Sequence, residues 1–479
     1  MKITENLEIN IDLIKKQLPV DKSFDIVGRP LKIGNASAYI LFIDGFAKAE
    51  AMIHVMKGLQ GVTDESGEAA RTLLLQSIPY IEAAMTDDLD DAIEQVLMGQ
   101  VALFVDGDKN AVVIDAREYP AREPSQSEIE KVTRGSRDDL VETLIFNTAL
   151  IRRRVRDRGM TFEITNVGEI SKTDVAIGYI EGQVDHDLLK KVKKRLDEID
   201  IHALTMGEKS LEELLVKKKW YNPMPQFRIS ERPDTIAAHL MEGHIILLVD
   251  ASPTALIIPS TFFYFTQYVE DYYQAPIVGN LTRFIRSVAI LVSLLLVPLF
   301  LLMVTYPDQT PEIFRALIPT DESETTVFIQ VIILEFGLEL LRLSSLHTPT
   351  NTESAFSIIG GLILGDFAVS MGILLPDSIF FTVGATIATN AIPNPEFGNA
   401  MKVFRWFLTL GTGFFGIWGF AAALIIEVLI MASTKSFDDK HKYFWPLIPF
   451  NGEALRHIMF RYPLMKREGK WENKGNRRK

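Results

Sequence analysis

The sequence predicts an α/β cytoplasmic region of two duplicated lobes followed by an α-helical polytopic membrane domain. Three observations predict it. Charge is segregated along the chain, the first half repeats its own pattern, and the second half contains uncharged runs of bilayer length.

The charge comes first. The 479 residues are 47% hydrophobic and 23% charged, too apolar for a disordered chain. Residues 433–479 carry 12 Lys+Arg against 5 Asp+Glu, whereas residues 287–432 carry 4 against 12. The rest, residues 1–286, is acidic. The formal net charge of −12 argues against a nucleic-acid partner. The absence of cysteine excludes a disulfide scaffold, a thiolate metal site and a thiol nucleophile. The opening MKITENLEIN has no apolar core, so no signal peptide is expected.

The first half reads as two related units. LMGQVALFVDGDKNAVVI from Leu97 parallels LMEGHIILLVDASPTALII from Leu240, matching Gly99 to Gly243, Asp106 to Asp250 and Ala111 to Ala255. This alignment treats Glu242 as an extra residue. Upstream, Phe42-Ile43-Asp44-Gly45 parallels Tyr179-Ile180-Glu181-Gly182, each a strand ending in acid-Gly before a helix. Gly107-Asp108-Lys109-Asn110 fits a hairpin turn, and Asp87, Asp88, Asp90 and Asp91 open a helix whose dipole they complement. The expected organisation is an N-terminal extension over 1–24, a first lobe over 25–140, a connecting helix over 141–159 and a second lobe over 160–278. A transmembrane helical domain then occupies 279–433 and a basic cytoplasmic tail 434–479. Paired lobes of this kind form a small-molecule cleft or pack against neighbours in an oligomer.

The membrane domain rests on four runs. Ser287–Tyr306 is uncharged, Ser354–Leu375 carries only Asp366, Ser378–Ile392 is uncharged and Trp406–Ser433 carries only Glu427. A spanning helix needs about 20 apolar residues. Between them, Thr325–Arg342 sets Glu335, Glu339 and Arg342 at helical spacing, so it is expected at the interface or inside a bundle. Arg283 and Arg286 before the first run, the acidic loop after it and the basic tail all favour cytoplasmic termini. Lys402 and Arg405 fit that topology poorly. Glu427 is expected to pair with Arg405 or to line a water path.

No catalytic constellation is present. GxxxxGK[ST], GxGxxG, HExxH and GxSxG are all absent. His239 and His244, five apart, fall on different faces of a helix and on opposite faces of a strand, so no shared metal is expected. The chain reads as neither an enzyme nor a carrier of a cofactor or metal.

Ser354–Leu375 is the most informative run. Small residues including Ser354, Ser357, Gly361 and Gly365 recur every three or four positions, which suits close helix packing. It equally suits a pore wall, with Ile358, Ile359 and Leu362 as an aliphatic gate and Asp366 as the intramembrane acid. In the tail, Tyr443 and Trp445 suit the membrane interface, and Lys466, Arg467, Arg477, Arg478 and Lys479 suit anionic lipid heads.

Several motifs then occur in a fixed order. They are Asn222-Pro223-Met224-Pro225-Gln226, Glu231-Arg232-Pro233-Asp234, the VDASPTALIIPSTFFYF hairpin, Glu270-Asp271-Tyr272-Tyr273 and SIIGGLILGDFAVSMGIL. In this order the chain resembles the A-type subunits of the GerA family of spore germination proteins over about residues 25–465. The stretch LHTPTNTESAFSIIGG departs from the Leu-Pro-Arg-Pro type segment of nutrient-receptor A subunits, and the N-terminal extension is short. Both features set it apart from those receptors. The resemblance implies a subunit of an oligomeric ion channel that releases cations across the spore inner membrane during germination. It also implies self-association into a ring, other membrane germination proteins as partners, and the glycine-rich helix as the pore lining. A membrane-anchored scaffold and a component of a secondary transporter are the alternatives.

Overall fold

A computed structural model describes the chain apart from residues 35, 48, 61–82, 120–131, 133, 217–219, 321–324, 348–364, 366, 435, 438–442 and 461–479. The chain divides into two compact units. One comprises Met1–Lys218, Phe227–Ser260 and Phe437–Lys440; the other comprises Lys219–Gln226, Thr261–Ser436 and His441–Lys479.

The first unit contains two five-stranded antiparallel sheets. Strands β1 (Ile26–Ile33), β2 (Ala36–Ile43), β3 (Ala83–Thr86), β4 (Val101–Val105) and β5 (Ala111–Ile114) run in the order β1-β2-β4-β5-β3. Strands β6 (Met160–Val167), β7 (Thr173–Ile180), β8 (Arg228–Ser230), β9 (Ile245–Val249) and β10 (Ala255–Ile258) run β6-β7-β9-β10-β8. The orders correspond position for position, and so does the register. Ala38 faces Val105 in the first sheet, and Val175 faces Val249 in the second.

Both faces of each sheet are covered, which explains why the central strands are unbroken apolar runs rather than alternating ones. On β4, Val101, Leu103 and Val105 pack towards helix α2 (Ala49–Gln60). Ala102 and Phe104 join the opposite face with α1 (Leu7–Gln17) and α3 (Leu89–Leu97). In the second sheet, Ile245, Leu247 and Val249 pack towards α5 (His186–Asp197) and α6 (Gly207–Leu215), and Phe437 joins this core. Ile246 and Leu248 face α4 (Leu144–Arg152) and α7 (Pro233–Met241).

The polar fixings match as well. Asp106 Oδ1 accepts from the Leu7 amide at 3.0 Å and Asp250 Oδ1 from the Leu144 amide at 3.3 Å, each satisfying an open donor at a helix start. Asn10 brackets Thr4 through both its amide groups, as Asn147 brackets Val141. At the ends of α3 and α7 the chain turns through Gly99 (φ 97°) and Gly243 (φ 89°). A Cβ on Gly243 would also sit 2.7 Å from the Gln183 carbonyl oxygen. The amides of Met98 and Glu242 bond equivalently to the turn before them, so Glu242 corresponds to Met98 and is not an insertion. The expected hairpin turn after Val105 and the aspartate-capped helix at Asp88 are both present. Helix α4 joins the two sheets. Arg152 is fully buried and forms an ion pair with Asp25, and its Nη2 donates to the Met160 carbonyl at 3.0 Å. The Phe24 amide bonds to the Phe162 carbonyl at 3.0 Å.

The second unit is helical. Helix α8 (Glu270–Tyr273) leads into α9 (Pro276–Thr305), followed by α10 (Val327–His347), α11 (Pro376–Asn390), α12 (Pro395–Ser433) and α13 (Gly452–Met459). Helices α9 and α12 are long and apolar enough to cross a membrane. Helix α12 is not a single rod. Gly416 adopts φ 59° and ψ −140°, a conformation open to glycine, and the chain reverses there. A Cβ on Gly411 would lie 3.3 Å from that of Ala423, although a straight helix would separate these residues by about 18 Å. Residues 395–415 and 417–433 are therefore antiparallel arms, and the expected final span is the second arm plus part of the first.

The tail from 434 is in part folded. Tyr443 is buried, and α13 is capped by the Asn451 side chain.

Candidate functional site

The motif residues of the helical unit form two clusters. Asp271, 1% exposed, lies where α8 precedes the long helix. It accepts from Arg283 Nε at 3.2 Å, from Arg286 Nη1 and Nη2 at 2.9 and 3.0 Å, and from Thr282 Oγ1 at 3.0 Å. Arg283 and Arg286 lie one turn apart on α9, so one carboxylate gathers both guanidinium groups. Tyr272 stacks beneath the Arg283 guanidinium at 5.0 Å, and Arg283 Nη1 donates to the Ile458 carbonyl of α13 at 3.1 Å. The motif Glu270-Asp271-Tyr272-Tyr273 thus fastens the start of α9 to the C-terminal helix. Its Asp is the centre of the cluster.

In the second cluster, Asn222 Nδ2 donates to Thr434 Oγ1 at 2.9 Å, and its Oδ1 accepts from the Met224 amide. The Pro225 carbonyl accepts from the Tyr443 hydroxyl at 2.8 Å. Burial pushes the Tyr443 phenol well above its ordinary range, so it stays a neutral donor. Pro223 and Gln226 complete this buried turn, with Gln226 7% exposed.

Glu231-Arg232-Pro233-Asp234 belongs to the α/β unit. Pro233 is the first residue of α7, where its missing N–H is harmless. Arg232 is 2% exposed and forks onto Asp234 at 3.1 and 2.7 Å while donating to the Ser136 carbonyl at 3.0 Å. The Glu231 carbonyl accepts from the Leu140 amide. These contacts tie the start of α7 to the segment before α4.

The bundle interior centres on Arg405. Its Nε and Nη2 bind both Glu335 oxygens at 2.7 and 2.9 Å, and Nη1 donates to the Ser293 and Ala385 carbonyls and to Thr389 Oγ1. Trp406 Nε1 adds a bond to Glu335. Lys402 binds Glu339 at 2.6 Å one turn away. Helix α10 therefore turns its charged face towards α12, while Ile329, Ile333, Phe336 and Leu340 on its other face stay exposed. Arg405 pairs with Glu335 and not with Glu427. Glu427 is fully buried, and neither of its oxygens has a hydrogen-bond partner among the described residues. The spacing that permits this ladder is visible in the sequence: two acids four apart on one apolar helix and two bases three apart on another.

Of the pore-lining candidates, Ser354, Ser357, Ile358, Ile359, Gly361, Leu362 and Asp366 lie outside the described residues. Gly365 is helical, and no described atom approaches within 4 Å of where its Cβ would be.

One group escaped the sequence reading. His239 and His244 meet across the Gly243 turn, with ring centroids 4.8 Å apart and planes at 71°. Neither a helix nor a strand alone brings them together; the junction between the two does. Burial, with Arg228 beside it, holds the His239 imidazole well below its ordinary pKa and therefore neutral.

The architecture defines the class: an α/β region with two antiparallel sheets ahead of an apolar helical region with two candidate membrane helices. The Bacillus/Clostridium GerA spore germination protein model matches residues 12–472, and the chain belongs to this family. It is similar to stage V sporulation protein AF of Bacillus subtilis, 36% identical over 467 residues covering 96% of this chain and 93% of that protein. It is also similar to spore germination protein KA of the same organism, 26% identical over 471 residues covering 96% and 85%. Among solved structures, the N-terminal domain of the A subunit of the Bacillus megaterium spore germinant receptor GerK3 matches at 26% identity. That match covers 54% of this chain and 96% of that one, with a TM-score of 0.42.

Proposed function

We propose that this chain is a subunit of an oligomeric membrane ion channel acting in bacterial spore germination, releasing cations across the spore inner membrane. The observation that carries the reading is the surface of the helical unit. Only 33% of the most apolar window of α9 is buried within the chain, and only 17% of that of α12. Ile277, Leu281, Phe284, Ile285, Val288 and Leu291 remain exposed along α9. Such a surface calls for lipid, further copies of the chain, or both. Family membership supports the germination setting.

Among the described residues the middle of the single-chain bundle holds Arg405, Glu335 and their partners, which favours a conducting path between subunits. The glycine-rich run Ser354–Leu375, with Gly361 and Gly365, is our candidate for its wall, and Ile358, Ile359 and Leu362 are the candidate gate. Ring assembly, contact with other membrane germination proteins and a cytoplasmic orientation of the α/β unit and the tail belong to the same reading. The matching strand orders support descent of the α/β region from a duplicated lobe.

The ion-paired residues at the middle of the described bundle also favour a second reading, a membrane-anchored scaffold without conduction. Ion leak from cells making Ile359→Ala, measured with the amount of assembled oligomer, separates the two. A leak at normal assembly supports the channel. Normal ion retention with reduced oligomer for Ile358→Ala, Ile359→Ala and Leu362→Ala alike rejects it.

A further inference from the structure

We propose that His239, Glu242 and His244 form a binding site for a divalent transition metal ion of the zinc type, at the junction of α7 and β9. The ligand atoms of the three side chains all lie within 4.8 Å of one another. Two imidazoles and a carboxylate are a zinc donor set that leaves a position for water or an outside group.

The protonation pattern favours metal. His244 Nδ1 lies 3.1 Å from the His239 carbonyl oxygen. A carbonyl only accepts, so Nδ1 carries the proton and the lone pair is on Nε2. A backbone carbonyl fixing the second ring nitrogen is the usual support for a metal-bound histidine. His239 Nδ1 lies 3.9 Å from a Glu242 carboxylate oxygen. Glu242 caps α7 and its side chain is 48% exposed, so it stands on the solvent side of the two imidazoles, where an ion would enter. Bonds of about 2.0–2.2 Å would draw the three donors together by about 1 Å. The Arg228 charge weighs against a cation, and the Glu242 charge offsets it.

The first sheet supplies an internal control. Its equivalent turn carries Gln95, Met98 and Gln100, and the Gln100 amide bonds to the Gln95 carbonyl at 3.0 Å, as His244 does to His239. The turn therefore forms without histidine. The imidazoles and the carboxylate are additions that only the second sheet has. A bound ion would staple the far end of the helix that begins with Arg232-Pro233-Asp234.

The test uses the full chain in detergent with a purification tag that contains no histidine. After chelator treatment it is titrated with Zn²⁺ by calorimetry and with Co²⁺ by visible absorption. One equivalent is expected, with a Co²⁺ band of low coordination number. His239→Gln with His244→Gln, the residues of the first sheet, should abolish both signals. Should that variant fail to fold, Glu242→Gln on the surface replaces it and should weaken binding at least 10-fold. Absence of binding in the native chain, or unchanged binding in these variants, overturns the site. Neither result bears on conduction.

Discussion

Glu335 and Arg405, seventy positions apart in the chain, share two hydrogen bonds in the middle of the helical unit, where they are 3% and 1% exposed. The remaining donor groups of Arg405 are taken by α9 and α11, so one guanidinium ties four helices. In a bilayer such a pair has no water to fall back on. Removing one partner leaves a buried charge and costs about 3–5 kcal/mol. Glu335→Ala and Arg405→Ala should each reduce membrane-extracted protein and its melting temperature. The double exchange Glu335→Leu with Arg405→Met should recover much of the loss, because the orphaned charge is gone. A double variant as unstable as the worse single one would contradict this.

Arg152 plays the comparable part in the α/β unit. Its guanidinium, fully buried, joins Asp25 and Ser23 before β1 to Met160 at the start of β6. Asp25→Asn keeps the shape and removes the charge, leaving Arg152 buried without its counter-ion. A destabilisation of about 3 kcal/mol is expected in urea unfolding followed in the full chain. Lys193→Met, at a partly exposed pair with Glu163, is the contrast and should cost under about 1 kcal/mol.

Asp271 gathers Arg283 and Arg286 where the long apolar helix begins. Asp271→Asn retains a hydrogen-bond acceptor but leaves two largely buried cations facing each other. Expected are normal synthesis, a lower melting temperature and a loss of function in spores. Arg286→Gln in the same background should restore part of the stability, because it removes the surplus charge. Melting curves of the purified proteins decide this, and no recovery in the double variant would mean that the cluster acts through shape alone.

Much of the α/β unit was legible in the sequence because period and punctuation are local. Asp106, Gly99 and their counterparts at Asp250 and Gly243 mark strand and helix ends that the chain cannot form otherwise. Helix α1 was harder to read as part of the first lobe. Its equivalence with α4 rests on Asn10 and Asn147, single polar residues whose partners are backbone groups. The contact between His239 and His244 is not legible in the sequence because helix and strand periodicity both fail at a junction. The Arg405 ladder was half legible: spacing displays the charges on each helix, but the choice of Glu335 over Glu427 needs tertiary proximity that no spacing rule supplies. The reversal within residues 395–433 was hidden by its composition, since Gly411, Gly413, Gly416 and Gly419 read equally well as small residues on one long span.

That reversal allows a direct test. The first arm would span about 30 Å and the second about 25 Å, whereas a continuous helix would extend about 58 Å. Gly411 and Ala423 face each other across the hairpin, with Cβ positions 3.3 Å apart. Disulfides need about 3.5–4.5 Å between Cβ atoms, within reach of a small adjustment. The chain has no native cysteine, so Gly411→Cys with Ala423→Cys introduces one pair and no competitor. Mild oxidation of membranes should form an intramolecular bridge, read as a reducible mobility shift and loss of thiol labelling. A control pair, Gly411→Cys with Leu429→Cys, should stay reduced, because Leu429 lies on the exposed side of the second arm. Gly416→Ala should weaken the bridge, because a Cβ there meets the Tyr306 hydroxyl in a backbone conformation that costs a non-glycine residue about 1–3 kcal/mol. Failure of the Gly411→Cys, Ala423→Cys pair to bridge in the otherwise native chain would mean a single continuous helix, and with it a different number of crossings.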